Sequence, residues 1–159
     1  MKKELNLIII EDDESICQRF TEYADTKTDI SVIATTGNSY HALDLIQEYL
    51  PDALILDLEL NYGKGNGLLF LQKLNNLSLP FMPYILITTN NSSSITLDYA
   101  RQLGADFIMS KHQEDYSEKY AIDFLRMLKN IILDTIKKKL TLSAGTKSLL
   151  ITVTNGFPV

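Results

Sequence analysis

The sequence predicts an α/β fold, a doubly wound parallel sheet of five strands with helices on both faces. Three observations predict it. Strand and helix signals alternate five times along the chain. The strand candidates are short apolar runs such as LIII and ALIL, as suits strands buried on both faces. The residues able to do chemistry collect just after those runs, where ligands bind in open α/β sheets.

The elements follow in order. Leu5–Ile10 is the first strand, and it runs straight into four acids, Glu11-Asp12-Asp13-Glu14. Asp13–Thr28 is a helix, with Ile16, Phe20 and Tyr23 at i, i+4 and i+7. Ile30–Thr35 is a second strand, rich in β-branched residues. Gly37-Asn38-Ser39 supplies a turn and an N-cap candidate for a helix over His41–Tyr49, which must stop before Pro51. Ala53–Leu56 is the third strand and ends at Asp57. The glycine-rich stretch Asn61–Gly67 is a loop, followed by a helix over Leu68–Leu77. Tyr84–Ile87 is the fourth strand, closed by Thr88-Thr89-Asn90. Ser93 is placed to cap a helix reaching about Leu103, which Gly104 stops. Phe107–Met109 is the fifth strand and ends near Lys111. A last helix begins near Tyr116 and continues to about Leu140.

Composition narrows the class. A chain of 159 residues is long enough for one domain with a proper core. Its net charge of −5 leaves no electrostatic footprint for nucleic acid over the chain as a whole. The single cysteine, Cys17, cannot form an internal disulfide and falls in the first helix as a packing residue. No apolar run approaches the ~18 residues of a membrane helix. The start MKKELNLIII meets acids too soon for a signal peptide. These features predict a cytoplasmic protein. His41 and His112 read as surface histidines.

The first strand end carries Glu11 and Asp12, the third Asp57, the fourth Thr88 and the fifth Lys111. A block of carboxylates repels itself, so it needs either open water or a positive partner. The partner these donors suit is a hard cation: oxygen ligands without histidine or cysteine fit Mg2+, which takes one or two carboxylates plus substrate phosphate. Asp57 is then a candidate nucleophile toward phosphorus, giving an aspartyl phosphate. Lys111 would neutralise a phosphoryl oxygen and Thr88 would donate a hydrogen bond to another. The plainer reading of Glu11 and Asp12 is a solvated acidic helix start, which the helix dipole favours.

These residues resemble the receiver domain of two-component response regulators over about residues 4 to 130. The acidic pair after strand one, the aspartate ending LILDLEL, the threonine in PYILITTN and the lysine closing GADFIMSK come in the family's order, with near-family spacings. The resemblance implies a flavodoxin-like (βα)5 fold with strand order 2-1-3-4-5. It implies phosphorylation of Asp57 by a sensor histidine kinase. It also implies a Mg2+ site formed by Glu11, Asp12, Asp57 and the backbone carbonyl of Glu59. Three positions depart from the pattern: Ile108 stands where the family carries an aromatic, His112 where it carries a proline after the lysine, and Asn61 where it carries a proline after the aspartate.

Residues 1–130 are thus expected to form the receiver domain, and 131–159 a helical extension and tail serving as linker, dimer arm or start of an output region. The apolar stripe Ile131, Ile132, Ile136 and Leu140 predicts self-association through the last helix. Nucleic acid would be met only through an output region not evident in this chain. The chain is expected to catalyse only its own phosphorylation and dephosphorylation, and so not to be an enzyme. The competing readings are a metal-dependent phosphohydrolase or Toprim-like catalytic domain, in which Asp57-Leu58-Glu59 is a DxD-like pair, and a degenerate receiver acting only as an interaction module.

Overall fold

The computed structural model describes residues 5–27, 29–60, 66–90 and 93–110, together with positions 126, 129, 130, 132, 133, 137 and 140. In chain order the elements are β1 (Leu5–Ile10), α1 (Glu14–Lys27), β2 (Ile30–Thr36), α2 (Ser39–Tyr49), β3 (Ala53–Asp57), α3 (Gly67–Asn75), β4 (Tyr84–Thr89), α4 (Ser94–Gln102) and β5 (Phe107–Ser110). The five strands form one sheet in the order β2-β1-β3-β4-β5, and every pairing is parallel. The expected fold and strand order are therefore observed.

The apolar runs are continuous because each strand is covered on both sides, and the two-residue side-chain period sorts them. Leu5, Leu7 and Ile9 of β1, with Ala53 and Ile55 of β3 and Leu86 of β4, face α1 through Cys17, Phe20 and Ala24. Ile8 and Ile10, with Leu54, Leu56, Ile85 and Ile87, face α2, α3 and α4. Phe107 and Met109 of β5 pack on the first face and Ile108 on the second.

The last helix of the sequence reading is described only in part. Positions 126, 129, 130, 132, 133, 137 and 140 are helical, and the start near Tyr116 lies outside the described residues. Ile132, one of the four residues of the apolar stripe from which self-association is predicted, is instead buried in the core on the α1 face, with Leu133 packed beside it, because this segment covers the sheet. Lys129 Nζ reaches Asp29 Oδ2 at 2.7 Å, tying this segment to the turn between α1 and β2.

Helix ends are set by local chemistry. Asp13 Oδ1 accepts from the backbone N–H of Ser15 and Ile16, so the acid after the pair caps α1. Asn38 accepts from Tyr40 and His41 and starts α2 two residues earlier than the sequence suggests. Asn66 caps α3, and Ser93 caps α4. Leu50 closes α2 with φ 47°, ψ 62°, a left-handed conformation unusual for a branched side chain.

Candidate functional site

The site forms where β1, β3 and β4 end side by side. Ile10 is in register with Leu56, so the residues that follow, Glu11 and Asp57, leave the sheet at the same level. Asp57 is in register with Thr88. The backbone holds this edge closed beyond the strands: Glu11 N–H donates to Thr36 O at 2.9 Å, and Leu58 N–H to Thr88 O at 2.9 Å.

Glu11, Asp12 and Asp57 each offer a carboxylate oxygen, and these oxygens lie within 4.8 Å of one another. Glu11 is 6% exposed and Asp57 3%, while Asp12 is half-buried. Two largely buried carboxylates so close together repel in a medium that screens them poorly. An all-oxygen donor set of this kind, open on the Asp12 side, fits a hard divalent cation with part of its water retained. Thr88, 8% exposed, stands beside Asp57 in the sheet. Of the residues singled out in the sequence, Glu11, Asp12, Asp57 and Thr88 are therefore brought to one edge. Lys111, His112 and Asn61 lie outside the described residues.

The turn after Asp57 is well organised. The N–H of Glu59 donates to Asp57 Oδ1 at 3.0 Å, and the N–H of Leu60 to Asp57 O at 3.3 Å. The side chain of Glu59 turns to the end of β4, where its carboxylate accepts the Thr89 hydroxyl at 2.8 Å and the backbone N–H of Asn90. The sequence pointed to Glu59 for its backbone carbonyl and, in the rival catalytic reading, as the second acid of a DxD-like pair; it gave Thr89 no role beyond closing the fourth strand. An acid two residues after a strand-end aspartate, matched by a second threonine at the end of the fourth strand, was the available signal.

Two glycines bring neighbouring loops against the acids. A Cβ on Gly37 would stand 3.0 Å from Asp12 Cα, and one on Gly67 would stand 2.7 Å from Leu58 Cα and 2.8 Å from Leu58 O. Behind the acids, Cys17 Sγ donates to Glu11 O at 3.4 Å. Its thiol is pushed up to about 12, first by burial and then by the charge of Glu11 and the neighbouring acids. Cys17 is thus an inert packing group under the site.

Comparison with known proteins agrees with this geometry. The response regulator receiver domain family matches residues 7–120. A protein-glutamate methylesterase/protein-glutamine glutaminase of Burkholderia pseudomallei is 35% identical over 130 residues, covering 76% of this chain and 34% of the relative. One from Enterobacter cloacae is 33% identical, covering 69% of this chain and 31% of the relative. The chain thus spans about a third of the length of these curated relatives. Among solved structures, the response regulator domain of Thermotoga maritima CheB superposes with a TM-score of 0.66 at 17% identity, covering 80% of this chain and 96% of that one. A signal receiver domain of a Luxo repressor protein from Vibrio parahaemolyticus gives 0.68 at 21%, covering 87% and 97%. At these identities the structures speak for the fold alone.

One expectation is corrected. The sequence reading held the chain not to be an enzyme, yet the curated relatives it matches are enzymes, methylesterases and glutaminases by name. The shared part is about a third of each relative, the receiver portion. Reasoning confined to the residues of this chain had no access to the activity that longer relatives carry.

Proposed function

Since the chain belongs to the response regulator receiver domain family, we propose that it accepts a phosphoryl group on Asp57 from a sensor histidine kinase and that the modified site changes an output surface. The single observation that carries this reading is the meeting of Glu11, Asp12 and Asp57, with ligand oxygens within 4.8 Å, beside Thr88 in register. A Toprim-like or phosphohydrolase reading accounts for the acids but gives Thr88 no role. A degenerate receiver would have no reason to keep all three carboxylates together.

In this reading a carboxylate oxygen of Asp57 attacks phosphorus of the donor. The bond from phosphorus to the donor nitrogen breaks, the imidazole leaves with the electron pair, and an acyl phosphate forms. Glu11, Asp12, Asp57 and the backbone carbonyl of Glu59 would hold Mg2+, which offsets the crowded carboxylates and draws charge from the phosphoryl oxygens. The Glu59 N–H fixes one Asp57 oxygen and so helps orient the carboxylate for in-line attack. The Thr88 hydroxyl donates to a phosphoryl oxygen once the group is in place, and Lys111 neutralises another. Hydrolysis by water returns the free carboxylate.

Ile95 on α4 is 81% exposed and Leu140 66% exposed. They support a second element of the proposal, self-association of two copies through α4 and the last helix, strengthened by phosphorylation. Residues 1–130 serve as the receiver, and 131–159 as a helical extension and tail. Given the relatives, a methylesterase or glutaminase region is one output such a receiver would control.

The test is mass spectrometry after incubation with acetyl phosphate and magnesium. The wild type should gain one phosphoryl group and Asp57→Asn none; equal labelling of that variant would place the nucleophile elsewhere. Asp12→Asn should weaken magnesium binding in a titration and slow labelling in parallel.

A further inference from the structure

We propose that Glu59 is a positioning residue whose carboxylate latches the end of β4, and that an anion added to Asp57 releases the latch by charge repulsion. This rests on Asp57 being the phosphoacceptor.

Glu59 is joined to the site at both ends. Its N–H donates to Asp57 Oδ1 at 3.0 Å. Its carboxylate accepts the Thr89 hydroxyl, 2.8 Å from each oxygen, and also the N–H of Asn90. These are charge-assisted hydrogen bonds, the stronger kind. Thr89 is 1% exposed, so its hydroxyl sits in a place where losing an acceptor is costly. Thr88 is the next residue back, and pinning Thr89 and Asn90 fixes the backbone on which Thr88 stands. Downstream, Ser93 caps α4 and Ser94 opens it. The contact therefore ties the turn that follows the phosphoacceptor to the end of β4 and to Asn90, four residues before α4 begins at Ser94.

The tie is sensitive to charge. Glu59 is half-buried and two residues from Asp57, on a turn from which its side chain can swing into water. A phosphoryl group turns the single charge of the Asp57 carboxylate into an acyl phosphate of about −1.5 to −2, a gain of up to about one negative charge, and a like charge disfavours a carboxylate held beside it. Moving Glu59 to solvent relieves the repulsion and releases Thr89 and Asn90 together. Ile108, packed on the α2–α4 face of β5, offers no polar group to take part in such a signal.

Hydrogen exchange of the full chain, with beryllium fluoride and magnesium as the anionic probe and fluorine NMR to read its binding, tests this. Asn90 is exposed, so protection of its amide reports the latch. In the wild type, with magnesium alone as the reference, the probe should speed exchange at Asn90 by about fivefold, the worth of one typical net hydrogen bond. Glu59→Ala should exchange fast with or without the probe. Thr89→Val, which removes one of the contacts, should show a smaller rise and guards against a folding defect in the first variant. Glu59→Gln should stay protected in both states, because the amide oxygen still accepts but carries no charge to repel. Protection at Asn90 that is equal in the wild type and both weakening variants overturns the latch. So does release of Glu59→Gln by the probe as complete as in the wild type. If fluorine NMR shows the probe bound but Asn90 unchanged, only the latch fails; if it shows no binding, the phosphoacceptor reading fails and the latch with it.

Discussion

Replacing Gly67 by alanine isolates how far the acidic site depends on the close approach of a loop. Gly67 opens α3, and its N–H donates to Leu58 O at 3.0 Å. The added Cβ would lie 2.7 Å from Leu58 Cα, 2.8 Å from Leu58 O and 3.0 Å from Leu58 C. Comfortable carbon contacts lie at about 3.5–4.0 Å, so the backbones must part by most of an ångström. Leu58 cannot give way freely, since its N–H is bonded to Thr88 O at 2.9 Å and it is itself buried. Overpacking of this kind costs about 1–3 kcal/mol, and loss of the Gly67 hydrogen bond about 1 kcal/mol more. Alanine returns up to about 1 kcal/mol through helix propensity. The net expectation is a loss of about 1–3 kcal/mol. In urea, at ~1–3 kcal/mol per molar, that lowers the midpoint by about 1 M. Because Leu58 lies between Asp57 and Glu59, labelling by acetyl phosphate should also slow. Gly104→Ala is the control: its φ of +106° imposes backbone strain, but the new Cβ meets nothing closer than 3.8 Å, so it should cost stability and leave labelling alone. A Gly67→Ala protein as stable as wild type and labelled at the same rate would refute the reasoning.

Three further outcomes follow from particular residues. Leu50→Gly should unfold within about 0.5 kcal/mol of wild type or better, because it relieves the left-handed backbone; at the neighbouring exposed Tyr49, glycine should cost about 1 kcal/mol in the same urea titration. Tyr84 is pushed up to about 12 by burial and then by Asp106, and Cys17 to about 12. Raised folded-state values mean stability that is complete below the unfolded values of 9.0 and 10.0 and lost as pH climbs toward 12. Denaturation at pH 8, 10 and 11 should show that fall, with Tyr84→Phe flattening its upper part and Cys17→Ala its start; a flat profile would count against both. Ile132→Ala should cost about 2–4 kcal/mol as a core truncation, whereas Lys129→Ala, at a half-exposed pair, should cost less than about 1 kcal/mol.

The sheet was legible because burial on both faces writes itself as unbroken apolar runs, and LIII and ALIL cannot be placed elsewhere at that length. Boundaries were less so. β4 continues through Thr89 because Thr89 pairs with Ser110, a partner that no local pattern reveals. α3 stops at Asn75, whose amide donates to Leu71 O and across to Leu103 O, a contact between distant segments. The acids at the site could be foreseen, since neighbouring strands of equal level deliver their next residues to one place. The Glu59 carboxylate could not, because its partners Thr89 and Asn90 lie 30 and 31 positions on and meet it only when the turn closes. The glycine-rich stretch Asn61–Gly67 reads as a loop throughout. Gly67 is instead the point where two backbones touch.

The seating of Ile132 and the reach of Lys129 to Asp29 also bear on how the chain is made. The face of the sheet that carries Leu7, Ile9 and Ile55 receives α1 early but receives Ile132 only after all five strands have been synthesised. At ~5–20 residues per second, a nascent chain spends roughly one to a few seconds with β5 complete and that cover still missing. For that interval an otherwise finished parallel sheet shows apolar surface on one side. The ribosome, and any chaperone waiting beside it, meets a domain whose closing piece is the last to arrive.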